Sequence, residues 1–383
     1  MQIDQIKIHQ ILLPFSVEFS HSLRKRYSAN NIIVEVIANQ EGIKGFGEGA
    51  PRSYVTGESQ ESATKSISQF IQNNTFPWEL NDISQIWDFI DSISNGKEHN
   101  SAICSIEMAL LDALGKREDR AINQYFSTDF FTPKVCYGFV VPLTHKKRVM
   151  EACELIKKLR INDLRLKMGK DVQQNREAFE TVKLVFGNDY DLRIDVNGAW
   201  DLELALNHLQ LIRDYNVKVV EQPMMPDDPE IANFASAIKN NGIILMADES
   251  ACSLKDIKKI TEDGYYRMIN VRLSKCGGFR NSLRIINHLR NNGVSFQIGC
   301  QLGESGLLSA GGRVLSLLCR DAMHYDGSYD EFLLKENITA ENVTFGNGGE
   351  AGLLYGPGLG VNVSIQNLER LCDDSKSVTI NRP

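Results

Sequence analysis

No two of the eight cysteines stand in C-x-x-C spacing, and no two of the seven histidines form H-x-H or H-E-x-x-H. A disulfide framework and a histidine-built zinc site are therefore not expected, and scattered thiols fit a reducing cytoplasm. No apolar run approaches the roughly 18 residues of a membrane-spanning helix. Met1-Gln2-Ile3-Asp4-Gln5 has no basic stretch ahead of an apolar one, so neither a signal peptide nor a membrane partner is expected. Cations are not in excess: 42 Lys and Arg face 49 Asp and Glu, a net charge of -7. That disfavours nucleic acid, whose phosphates demand clustered positive charge. No G-x-G-x-x-G follows a candidate strand, and Gly277-Gly278 lacks that frame, which weakens a dinucleotide-binding sheet.

The 383 residues exceed one ordinary core and predict two domains, or a barrel with an appendage. Residues 1–132 read as a mixed α+β domain. Ile3–Leu13, Asn31–Asn39 and the glycine-punctuated Gly45–Glu48 read as strands, and a helical pattern runs from Glu58 to about Gly115, with Ile103, Ile106, Ala109, Leu110 and Ala113 on one face. Thr132-Pro133 marks a boundary. Over residues 133–336 short apolar strands alternate with amphipathic helices. Eight strands are expected: Val135–Val141, Asp163–Met168, Asp191–Val196, Val217–Glu221, Ile243–Asp248, Met268–Leu273, Ser295–Ile298 and Ala322–Tyr325. Such alternation builds parallel βαβ units, and eight of them suit a barrel. Residues 337–383 are glycine-rich and are expected to return to the N-terminal domain.

A charged residue recurs at the end of successive strands. Lys167, Asp195, Glu221, Asp248 and Lys275 are spaced by 28, 26, 27 and 27 residues, and Glu304 follows 29 further on. One such charge is an ordinary wet-loop residue; five in order, at the barrel face where active sites are built, point to chemistry. Three converging carboxylates repel one another unless a cation joins them, and oxygen-only donors select a hard ion, Mg2+ or alternatively Mn2+. Such an ion is a Lewis acid suited to a developing enolate. Lys167 and Lys275 flank the acids in chain order, one placed to take a proton and the other to return it. In Leu164-Arg165-Leu166-Lys167 the alternation puts Arg165 beside Lys167 inside the barrel, where its charge is expected to favour a neutral lysine. Arg272 shares inward parity with Asn270 and Lys275 does not, so either the strand ends before Lys275 or a bulge re-aims it.

Arg193–Trp200, Val220-Glu221-Gln222-Pro223, Ala247-Asp248-Glu249-Ser250 and Leu273–Gly278 together resemble the enolase superfamily, in its muconate-lactonizing subgroup of the mandelate racemase/muconate lactonizing enzyme type. The likeness spans nearly the whole chain. It implies an α/β fold, a modified TIM barrel (β/α)7β under an α+β capping domain made by the N-terminal region and the C-terminal tail. It implies Mg2+ held by Asp195, Glu221 and Asp248, and Lys167 and Lys275 as acid and base on opposite faces of an enolate; sites of this superfamily are a known pattern of pKa tuning. Arg165, Asn197, Glu249, Arg272, Glu304, Asp326, Arg24, Arg52 and Tyr54 are the expected substrate-side or supporting residues, the last few on capping loops. The resulting expectation is a Mg2+-dependent isomerase of muconate cycloisomerase type, a homo-oligomer acting on a small anionic carboxylate. An acid-sugar dehydratase or an o-succinylbenzoate synthase-like lyase is the alternative. A dipeptide epimerase ranks lower, because the family's Asp-x-Asp is reduced here to Asp326; a Schiff-base aldolase and a barrel that only binds a ligand also rank lower. Arg165 stands where the subgroup usually has lysine, and Gln297 and Gly299 stand where the mandelate racemase pattern has its histidine.

Overall fold

The structure, a computed structural model, describes the backbone of residues 1–21 and 24–383 and the side chains of residues 1–16 and 26–383. The chain opens with three antiparallel strands, β1 (Gln5–His21), β2 (Arg24–Ala38) and β3 (Ile43–Gly49), then helices α1 (Gln60–Ile71), α2 (Ile83–Ile93) and α3 (Asn100–Arg117). The glycines of β3 have a steric reason. A Cβ on Gly45, Gly47 or Gly49 would meet the backbone oxygen of Ala109, Ser105 or Ser101 at 2.4, 2.1 and 2.2 Å. Alternate strand residues thus meet every fourth residue of α3, and only a missing side chain lets the helix lie so close. The apolar face expected on α3 is only part of its burial: residues 100–115 are buried all round, between the sheet on one side and the barrel on the other.

The barrel strands are β5 (Phe139–Val141), β6 (Asp163–Lys167), β7 (Asp191–Asp195), β8 (Val219–Glu221), β9 (Ile244–Ala247), β10 (Met268–Arg272) and β11 (Ser295–Gly299), preceded by β4 (Lys134–Cys136). Strands β5 to β11 form one parallel sheet in sequential order. Helices α4 (Lys146–Lys158), α5 (Val172–Phe186), α6 (Leu202–Asn207), α7 (Leu209–Asp214), α8 (Ile231–Ile238), α9 (Leu254–Asp263), α10 (Gly278–Asn291) and α11 (Gly306–Leu317) connect and cover them. The expected eighth strand is reduced to a bridge. Ile298 donates to His324 O, Asp326 donates to Ile298 O and Gly138 donates to Tyr325 O, at 3.1, 2.8 and 2.8 Å, and these bonds close the sheet on itself. The expected strand Val135–Val141 is two: β4 leaves the barrel to pair with β12 (Glu350–Gly352), and only β5 belongs to the parallel sheet. The tail therefore meets the barrel's first segment as well as the N-terminal sheet, where β13 (Val378–Asn381) pairs with β1. No described helix is long and apolar enough to cross a membrane.

Candidate active site

The pleat decides which side chains enter the barrel. In β6, Leu164 and Leu166 join the apolar core and Arg165 and Lys167 point inward; in β7, Arg193 and Asp195 do the same. Parallel register sets Lys167 beside Asp195 and Asp195 beside Glu221. Glu221 pairs with Met246, so Asp248 stands two residues further along, past the end of β9. Strand β10 stops at Arg272, and Cys276 N donates to Arg272 O at 2.9 Å in a turn. The turn, not a bulge, re-aims Lys275. Its ammonium donates to Asn270 O at 2.5 Å, Asp248 O at 2.8 Å and Asp248 Oδ1 at 2.9 Å.

The acids and cations interleave. Lys167 Nζ lies 2.5 Å from Asp195 Oδ2 and 2.8 Å from Asn197 Oδ1. Arg165 Nη1 lies 3.4 Å from Glu221 Oε2, 3.4 Å from Asp326 and 3.9 Å from Asp195. Arg272 Nη2 contacts Asp248 Oδ2 and lies 3.5 Å from Glu221 Oε1. Asp195, Glu221, Asp248 and Lys275 are fully buried. Burying an unpaired charge costs several kcal/mol or more, which the alternation of sign offsets. Among the described residues no three His, Cys, Asp or Glu side chains gather into an ion-binding group, because guanidinium and ammonium groups stand between the acids. The donor set nonetheless fits a hard dication: three carboxylates on neighbouring strand ends, with no sulfur or imidazole among them. Burial, and then the nearby charges of Asp195 and Glu221, push Glu249 up to about 7, while Asn197 Nδ2 donates to it at 3.0 Å. Burial also pushes the Lys275 ammonium below the usual amine range, bringing its neutral form closer to pH 7.

A cleft of about 1160 Å3 opens over these strand ends, and Arg165, Lys167, Asn197, Glu249, Arg272 and Glu304 line it from the barrel while Tyr54 lines it from the cap. Burial pushes Glu304 up to about 8, and one of its oxygens accepts Gln301 N at 2.5 Å. Two of the expected substrate-side residues sit elsewhere, and Lys275, fully buried and held by three acceptors, is not among the residues that line the cleft. Arg52 is 1% exposed and serves as a tie, donating to Asn30 O, Pro51 O, Asn31 Oδ1 and Leu302 O at 3.0, 2.8, 2.9 and 2.6 Å. Asp326 lies beneath the cleft, gripped by Arg193 at 2.9 Å and faced by Arg165. The side chain of Arg24 lies outside the described residues. Arg193 itself, Asn270 and Gln301 were not among the expected site residues, although Arg193 opens one of the segments that carry the family resemblance. Asn270 Nδ2 donates to Glu221 Oε1 at 2.6 Å, and its inward parity with Arg272 was the available signal.

Residues 147–367 match the enolase C-terminal domain-like family, and residues 9–126 match the mandelate racemase/muconate lactonizing enzyme N-terminal domain. A hydrophobic dipeptide epimerase of Enterococcus faecalis is 27% identical over 80% of this chain and 84% of its own. An N-succinyl-L-Arg/Lys racemase of Bacillus cereus is 27% identical over 81% of this chain and 83% of its own. The crystal structure of a dipeptide epimerase from Enterococcus faecalis, complexed with Mg and L-Leu-L-Tyr, superposes with a TM-score of 0.83 at 24% identity, over 94% of this chain and all of that one. These two relatives carry epimerase and racemase activities, an o-succinylbenzoate synthase of Bacillus subtilis is 24% identical over 95% of this chain and 95% of its own, and the expected narrowing to muconate cycloisomerase finds no support in them. With a capped barrel, charged strand ends and a family match over both parts, the chain belongs to the enolase superfamily, in its mandelate racemase/muconate lactonizing enzyme type.

Proposed function

We propose that this chain is a Mg2+-dependent racemase or epimerase of a small carboxylate bearing an acidic α-hydrogen, an amino-acid derivative such as a dipeptide or an N-acylamino acid. The observation that carries this reading is the symmetry of the lysines. Lys167 is held by Asp195 at one flank of the acid row, and Lys275 by Asp248 at the other. Two bases on opposite flanks invert a carbon: one removes the α-proton and the other delivers a proton to the far face. Lys275 suits the base role because burial lowers its proton affinity. The guanidinium of Arg272 and the ammonium of Lys167 line the cleft and favour an anionic substrate. Asp195, Glu221 and Asp248 would hold the ion, which when bound supplies Lewis-acid stabilisation of the charge that develops as the proton leaves. The epimerase and racemase relatives support the choice of an isomerase, and the magnesium complex of one structural neighbour supports the choice of ion.

The test is α-hydrogen exchange. Incubation of dipeptides and N-acylamino acids with the protein and Mg2+ in D2O is expected to give deuterium at the α-carbon, otherwise unchanged mass, and loss of optical purity. Lys167→Ala and Lys275→Ala are each expected to lower turnover by roughly 100-fold or more. Exchange that survives in both variants removes the lysines from the mechanism; loss of water in place of inversion makes the protein a lyase.

A further inference from the structure

We propose that Arg272 and the divalent cation compete for the same carboxylate oxygens, so that cation binding requires the guanidinium to swing into the cleft and Arg272 sets the cation affinity of the site. This rests on the metal role proposed for Asp195, Glu221 and Asp248. One nitrogen, Arg272 Nη2, spans two of those three acids: it contacts Asp248 Oδ2 and lies 3.5 Å from Glu221 Oε1. Those oxygens cannot serve a dication while a guanidinium lies against them, since like charges at such range repel strongly in a buried setting.

Four cationic groups adjoin the acid row, and Arg272 is the one that reaches both Asp248 Oδ2 and Glu221 Oε1 while also lining the cleft. Lys275 is fully buried, and three oxygens accept from its ammonium. Arg165 is also engaged by Asp326, and Lys167 by Asn197. Outside the acid row Arg272 has one neutral side-chain tether, Gln301 Oε1 at 3.1 Å, as Lys167 has Asn197, and its Nε, like that of Arg165, is buried without a hydrogen-bond partner. An unsatisfied buried donor lowers the cost of moving away. The side chain already lines the cleft, so it can rotate without opening the apolar core.

The experiment is Mn2+ binding to the full chain, by equilibrium dialysis with electron paramagnetic resonance detection of free ion. It compares wild type, Arg272→Met and Asp248→Asn. Competition predicts that Arg272→Met binds Mn2+ about tenfold more tightly than wild type, or better. Unchanged or weaker binding by folded Arg272→Met overturns it. Asp248→Asn separates the two layers of the argument: if it binds Mn2+ as wild type does, the metal role of the acids fails, and this inference with it. Wild-type protein gives a second reading that needs no stable Met variant. Phenylglyoxal labelling of Arg272, read by peptide mass spectrometry, is expected to rise several-fold when Mn2+ is added. Labelling that stays constant overturns the swing.

Discussion

Arg52 and Tyr54 stand two residues apart, yet the fold gives them opposite duties. The guanidinium of Arg52 is buried and donates to four oxygens, while the Tyr54 ring lines the cleft. Arg52→Met leaves buried acceptors at Asn31 and Leu302 without donors, and each such loss costs about 1–3 kcal/mol. Urea denaturation is expected to show that loss. Tyr54→Ala, which removes the ring under Arg26, is expected to cost less stability than Arg52→Met and to raise KM. A stable Arg52→Met with impaired KM would restore arginine to the substrate. The sequence could not separate these two residues, since a capping loop has no period from which facing can be read. The row Lys167, Asp195, Glu221, Asp248 and Lys275 was legible because repeating βα units place strand ends at a regular interval. Arg193 was missed for the same reason in reverse: it lies one pleat below the row, at an inward position that looks like a strand interior, and its partners Asp163, Gln297 and Asp326 come from three distant segments.

Strand β3 shows how an element can be specified by what its residues leave out. Its glycines at positions 45, 47 and 49 look like turn punctuation, but their carbons face the backbone of α3 at distances no side chain can share. Gly47→Ala puts a methyl group within 2.1 Å of Ser105 O, an atom of a helix backbone that cannot yield as a flexible side chain can. Overpacking of this kind costs about 1–3 kcal/mol, and a lower unfolding midpoint is expected. A neutral Gly47→Ala would show that the sheet and α3 separate readily. The same contact explains why α3 was only half legible. Its apolar face was visible at helical spacing, but Ser101 and Ser105, which carried no signal there, are the small residues against which the glycines pack. The eighth barrel strand failed for a different cause. Residues 322–325 carry a plausible apolar pattern, and closure of the sheet needs only the backbone bonds around Tyr325.

At the scale of the whole molecule, the cap is part of the active-site frame, because buried polar residues of the cap end barrel helices and turns. Glu48 at the end of β3 accepts from Ser305 N at 3.1 Å, Leu308 N at 2.9 Å and the Ser305 hydroxyl, at the N-terminus of α11, and from Asn31 Nδ2 at 2.6 Å. Glu107 of α3 accepts from Phe279 N and Arg280 N at the start of α10. Asn100 Nδ2 donates to Cys252 O at 2.8 Å and to Lys275 O at 2.5 Å, and Ser274 accepts from Ala50 N at 2.9 Å. The backbone that carries Lys275 is thus held from the cap. None of this was readable from the sequence, where Glu48, Asn100 and Glu107 are isolated polar residues with no repeat to mark them. A carboxylate at a helix N-terminus is favoured by the unpaired N–H groups and the helix dipole, and here it also joins two layers. Glu48→Ala strips buried donors on both sides of the seam, and a loss of about 3 kcal/mol is expected, with Glu48→Gln losing less because its amide oxygen still accepts. Because the seam is shared, cap and barrel are expected to unfold together in both variants. Far-ultraviolet circular dichroism follows the backbone of both parts, whereas tryptophan fluorescence is weighted to the cap, where Trp78 and Trp87 lie, over the barrel, which holds Trp200. Their urea midpoints are expected to shift by the same amount. If Glu48→Ala splits them into two transitions, the cap folds on its own and the frame around Lys275 is a docked assembly of two cooperative units.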